Sequence, residues 1–98
     1  MVLTDIRIRK TISQGKMKAV VSVTLDNAFA VHDIRIIEGN DREFIAMPSR
    51  KTPEGTYRDI VHPINAEFRA ELEEKILARY HEELAAAEAG EPEDRRED

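Results

Sequence analysis

The sequence has no cysteine and no tryptophan, and its aromatic residues are limited to three Phe and two Tyr. Without cysteine there is no disulfide framework, no thiolate zinc site and no cysteine nucleophile, and the chain suits a reducing compartment. Long apolar runs are also missing. The first ten residues, MVLTDIRIRK, contain neither the apolar core of a signal peptide nor a span able to cross a bilayer, which predicts a cytoplasmic location and no membrane partner. The four glycines (Gly15, Gly39, Gly55, Gly90) are isolated from one another, so no glycine-rich loop can cradle a nucleotide phosphate. At 98 residues the chain is predicted to form one domain over residues 1–89, too small to combine a cofactor domain with a substrate domain. No cofactor, metal or small-molecule substrate is expected.

Charge is present in quantity but unevenly. The net charge is −5 and the isoelectric point about 5.2, which weighs against a polyanionic partner. Yet residues 1–63 hold ten Lys or Arg against eight Asp or Glu, a balance of +2, whereas residues 64–98 hold five against twelve, a balance of −7. Arg7, Arg9, Lys10, Lys16 and Lys18 fall in a stretch free of acids. Such asymmetry points to a nucleic-acid surface on one part of the molecule. The last segment, EPEDRRED after Gly90, has no apolar residue to anchor it and is expected to be a disordered acidic tail over residues 90–98.

The periodicities predict an α+β fold: an antiparallel β-sheet of four to five strands, followed by one C-terminal α-helix packed on it. Val2 to Lys10 alternates Thr4, Ile6 and Ile8 against Asp5, Arg7 and Arg9, the period of a strand with one wet face. SQGK (Ser13 to Lys16) turns the chain into a second strand, Met17 to Leu25, with Met17, Ala19, Val21, Val23 and Leu25 in one apolar row. Asp26-Asn27 is a two-residue hairpin turn. The next strand, Ala28 to Glu38, is apolar on both faces, with Phe29, Val31 and Ile37 on one and Ala30, Ile34 and Ile36 on the other, as expected of a central or interface strand. Gly39-Asn40-Asp41 turns into a short fourth strand, Glu43 to Met47, completing a meander. From Asn65 to about Ala87, Phe68, Leu72, Ile76 and Tyr80 recur every four residues, with Leu77 and Leu84 widening the stripe.

Between these elements lies AMPSRKTPEGTYRDIVHPIN, residues 46–65, which holds three of the four prolines. Pro48 ends the fourth strand, since proline lacks a ladder donor. Thr52-Pro53-Glu54-Gly55 reads as a β-turn, Thr56 to Val61 as a short strand, and Asn65 as the cap of the helix. Basic and hydroxyl residues crowd here: Ser49, Arg50, Lys51, Thr52, Tyr57 and Arg58. The expectation is a proline-framed basic loop beside a helix start. Arg50, Lys51 and Arg58 can each neutralise a phosphate, while Ser49, Thr52, Asn65 and Arg69 can donate to phosphate or to a base edge.

Together with AVHDIRIIEGN before it, the segment FIAMPSRKTPEGTYRDIVHPIN resembles the signature of the septation protein SpoVG family, with VHDIR, AMPS and HPIN in order, and the similarity runs from Val2 to about Tyr80. The resemblance implies a small bacterial cytoplasmic protein, a homodimer with an antiparallel sheet and a C-terminal helix, that binds DNA and RNA and regulates expression. It also implies that the binding region is the basic loop with the helix that follows. The acidic end from Glu82 onward departs from the pattern.

Catalytic readings find little support. His32-Asp33 resembles the paired ligands of metal-dependent phosphohydrolases, but adjacent strand residues point to opposite faces and the further ligands are missing, so a role in turn or interface hydrogen bonding is expected. His62 can be ordered by Asp59 or Asp33, and His81 is expected to face solvent. Ser13, Ser22 and Ser49 sit in no nucleophile turn. The sequence therefore predicts a binding protein rather than an enzyme. Two readings stand side by side: a dimeric nucleic-acid-binding regulator, and a protein-interaction module whose apolar third strand and acidic helix drive assembly while nucleic-acid binding is incidental.

Overall fold

The computed structural model describes residues 1–12 and 15–88. Four strands, β1 (Leu3–Thr11), β2 (Met17–Leu25), β3 (Phe29–Glu38) and β4 (Glu43–Ala46), form an antiparallel meander in the order β1-β2-β3-β4. A separate two-stranded ribbon, β5 (Ser49–Lys51) with β6 (Tyr57–Asp59), precedes a 23-residue helix α1 (Ala66–Glu88). The α+β expectation is met, with four strands in the sheet. The tail expected at residues 90–98, like Ser13 and Gln14 of the first turn, lies outside the described residues.

The core lies between one face of the sheet and the helix. Ile8, Ala19, Val21, Val23, Ile34, Ile36, Ile45 and Met47 meet Leu72, Ile76 and Tyr80, with Phe68, Leu77 and Leu84 packed at the margin. The stripe read from the helix sequence is the face that is buried. Polar contacts fix its position: Glu73 accepts from the Ile45 amide at 3.1 Å and from Arg42 at 3.3 Å, and His81 Nε2 lies 2.7 Å from Glu43 Oε1. Both acids tie the helix to the exposed edge of β4, where an unpaired amide row would otherwise invite a further strand.

Bulges shift the faces away from a simple alternation. Val21 pairs with Ile34 but Val23 pairs with Val31, so β3 carries one extra residue at His32-Asp33, where Asp33 adopts a left-handed φ of 66°. Val31 therefore joins Ile34 and Ile36 on the core side, correcting the expected division of β3. A shift in β1 between Leu3 and Asp5 likewise puts Leu3, not Thr4, on the side of Ile6 and Ile8. The Thr4 hydroxyl instead donates to the Thr24 carbonyl at 3.1 Å and accepts from the Asn27 amide at 3.0 Å. At the far end of β2, a shift between Met17 and Ala19 pairs Met17 with Ile37 and removes it from the apolar row.

The turns follow their sequences. Asp26 and Asn27 take φ of 53° and 52°, the primed geometry whose twist matches that of the flanking strands. The Asp26 carboxylate also accepts from the Val2 amide at 2.7 Å, which fastens the N-terminal strand. At Gly39 an added Cβ would stand 3.0 Å from the Arg42 carbonyl oxygen, so the turn into β4 closes only around a bare backbone.

Candidate nucleic-acid interface

The basic segment is a hairpin, not a loop. Pro48 leaves β4, and the chain then pairs Ser49 with Asp59, Arg50 with Arg58 and Lys51 with Tyr57. The turn at its tip has the expected form: the Gly55 amide donates to the Thr52 carbonyl at 2.9 Å and Gly55 adopts a φ of 91°. Tyr57–Asp59 is shorter than the Thr56 to Val61 strand expected and joins this ribbon rather than the sheet. A three-residue strand bounded by Pro48 and Pro53 has no periodicity of its own, which is why the β5 half escapes a sequence reading.

Pairing decides which basic side chains act together. Arg50 and Arg58, eight positions apart in sequence, stand directly opposite each other, both exposed. Like charges across a ladder repel, and no carboxylate offsets them: among the described residues neither guanidinium makes a hydrogen bond or ion pair. Lys51, adjacent to Arg50, points to the other side of the ribbon, opposite Tyr57. The structure thus brings Arg50 to Arg58 and separates Lys51 from both.

The remaining candidates are differently occupied. The Thr52 hydroxyl lies 2.9 Å from that of Thr56 and accepts from the Thr56 amide at 3.3 Å, closing the hairpin tip. Asn65 Oδ1 accepts from the Phe68 amide at 2.6 Å, the expected cap, leaving its amide NH₂ to face outward. Arg69 is exposed in the first turn of α1, and Ser49 is half-buried opposite Asp59. In the sequence Tyr57 reads only as one of the hydroxyl residues; its 70% exposure on a strand, opposite a lysine, is a surface feature that the register makes visible.

The histidines take structural positions. His32 Nδ1 lies 2.8 Å from the hydroxyl of Ser22 on the neighbouring strand. His62 Nδ1 donates to the carbonyl of Pro63 at 3.1 Å rather than pairing with Asp59 or Asp33. His81, though exposed, is held by Glu43. Among the described residues, no group of three or more His, Asp or Glu is placed to hold a metal ion, and no helix is long and apolar enough to cross a membrane. An open apolar cleft of about 510 Å³ lies at the end of the sheet between β2, β3 and the start of α1, lined by Val23, Phe29, Val31, Met47, Ile64 and Phe68.

Comparison with known proteins covers all of these elements. The SpoVG family model matches residues 1–82, which takes in the sheet, the hairpin and most of the helix. The chain belongs to the SpoVG family. It is 60% identical over 84 residues to a Clostridioides difficile protein carrying the septation protein SpoVG name, covering 86% of this chain and 91% of the relative. A Heliobacterium modesticaldum protein of the same name is 56% identical over 87 residues, covering 89% and 98%. One from Caldicellulosiruptor saccharolyticus is 56% identical over 88 residues, covering 90% of this chain and 100% of its own. The SpoVG match thus extends over all seven candidate residues, from Ser49 to Arg69.

Proposed function

We propose that this chain is a septation-type regulator that binds nucleic acid as a dimer, holding phosphates between Arg50 and Arg58 of the hairpin. The observation that carries the reading is the unpaired arginine couple. Two guanidiniums kept opposite each other without a carboxylate are a poor arrangement for stability and a good one for a phosphate, which takes charge-assisted, bidentate hydrogen bonds from arginine. Arg69 and the free amide of Asn65 extend the same role to the first turn of the helix, while Glu67 and Glu71 confine it there. The septation role, which is not an enzymatic activity, comes from the names of the relatives.

Dimerisation supplies the missing contacts. One hairpin offers three cations, Arg50, Lys51 and Arg58, that are free among the described residues, and a handful of phosphate contacts is weak at cellular salt. The cleft supports a second copy: Ile64 is 89% exposed and Phe29 62% exposed at its walls. Sedimentation of the full chain is expected to give a dimer, and Ile64→Asp to shift it toward monomer. The protein-interaction reading draws on the same cleft and predicts assembly without affinity for nucleic acid. Substituting Arg50→Ala and Arg58→Ala together is expected to weaken binding about a hundredfold with the fold unchanged, at roughly tenfold per arginine; undiminished binding by the folded double variant removes the couple from the interface.

A further inference from the structure

The hairpin has two chemically different sides. Successive strand residues alternate, so Arg50 and Arg58 share one face and Ser49, Lys51, Tyr57 and Asp59 share the other. The first face carries two positive charges. The second carries Lys51 and Asp59, which sum to no net charge, together with an aromatic ring. We propose that this second face is a stacking platform for an unpaired nucleobase, with Tyr57 as its floor, and that the ligand is accordingly a single-stranded nucleic acid. The inference rests on the phosphate reading of Arg50 and Arg58 and names the class of ligand that reading leaves open.

The hydrogen-bond pattern of the ribbon sharpens the geometry. The Thr52 amide donates to the Thr56 carbonyl and the Ile60 amide to the Pro48 carbonyl, each at 2.7 Å. Antiparallel ladders alternate, so 52/56, 50/58 and 48/60 are the hydrogen-bonded positions, and Lys51/Tyr57 falls in a narrow, non-hydrogen-bonded one where side chains approach most closely. A lysine on the same face as an aromatic ring makes a surface that takes a base by stacking and draws nucleic acid by charge. Tyr57 has no competing use: it lies outside the core cluster, and among the described residues its ring stacks on no other aromatic and its hydroxyl makes no hydrogen bond. Tyr80, the other tyrosine, is 5% exposed and belongs to the core.

Charge distributes the strand between the two faces. Asp59 repels phosphate but accepts from the amino or imino groups of a base, so the phosphates are directed to the arginine side and the base to the tyrosine side. A base inside a duplex already has neighbours above and below it. Only an unpaired base has a face to give Tyr57, which excludes duplex from this platform and admits single-stranded DNA or RNA alike.

The test uses the full chain with labelled oligo(dT), oligo(U) and a duplex of equal length, titrated by fluorescence anisotropy across a salt series. Single strands are expected to bind more tightly than duplex. Tyr57→Ala should lose about tenfold on single strands, leave duplex binding unchanged and keep the salt slope of the unsubstituted chain, while Tyr57→Phe should retain affinity because the ring remains. Tyr57→Trp supplies a second readout, its indole emission being quenched as a base stacks. Equal binding of single strand and duplex, unaltered affinity in Tyr57→Ala, or unquenched indole emission from a saturated complex of Tyr57→Trp overturns the stacking proposal; if the arginine double variant still loses binding, the phosphate reading survives. Absence of binding by the unsubstituted chain to every probe overturns both.

Discussion

The sheet-and-helix body and the β5–β6 hairpin obey different rules. In the body, many charges are matched: Lys18 meets Glu38 at 3.2 Å, Arg42 meets Glu73 at 3.3 Å, Lys75 meets Glu71 at 3.0 Å and Arg79 meets Glu83 at 3.1 Å, while Lys10, Lys16, Arg35 and Arg69 make no ion pair among the described residues. Its apolar side chains share one core. The hairpin consists of three-residue strands that pair chiefly with each other, contribute nothing to that core and set two arginines directly opposite each other, with no ion pair to either or to Lys51 among the described residues. An isolated ribbon of this length is marginal on its own. Like charges facing each other there at no benefit to stability are the ones to associate with a ligand.

The contrast can be broken most severely from the body. Ile76 is wholly buried where α1 meets the sheet, and Ile76→Ala is expected to cost about 2–5 kcal/mol in urea unfolding through the lost burial and the cavity left behind. Removing the cap with Asn65→Ala should cost about 1 kcal/mol, because the Phe68 amide loses its acceptor. Gly55→Ala forces a Cβ into the left-handed region at the hairpin tip, at roughly 1 kcal/mol. Its effect should appear in nucleic-acid affinity and in amide exchange of residues 49–59, with the melting of the body barely changed. Arg58→Ala should alter stability by less than about 0.5 kcal/mol, the size usual for an exposed site without partners.

Tyr80 sharpens the comparison from the titration side. Burial, reinforced by Glu43 and Glu38 and opposed by Lys18, holds its phenol above the ordinary tyrosine range. The folded state therefore binds this proton more tightly than the unfolded chain does. Its contribution to stability is complete below about pH 10 and is lost as pH rises through the folded value. Tyr80→Phe should flatten the alkaline limb of a pH–stability curve measured by urea midpoints.

Much of the body was legible in the sequence because its elements obey simple periods. The four-residue recurrence of Phe68, Leu72, Ile76 and Tyr80 is the buried face of α1, and Asp26-Asn27 makes the turn that its residues favour. Bulges were not legible. Among the described residues Asp33 is one of three non-glycine residues with positive φ, and nothing in VHDIR marks where the alternation slips, so strict alternation puts Val31 on the wrong side. In the candidate site the residue types were legible and their grouping was not. Arg50 and Lys51 look like a pair in sequence, yet strand geometry separates them and gives Arg50 to Arg58 and Lys51 to Tyr57. The like-charge pair exists only through a register that short, proline-bounded strands do not announce.

The most direct test of the central claim is the salt dependence of nucleic-acid binding by the unsubstituted chain and by the Arg50→Ala, Arg58→Ala double variant. Each phosphate contact contributes about 0.7 to the slope of log affinity against log salt on a single strand and about 0.9 on duplex. The slope is expected to fall by roughly 1.4 on single strands, counting one contact for each arginine. The same slope and affinity in a folded double variant would contradict it.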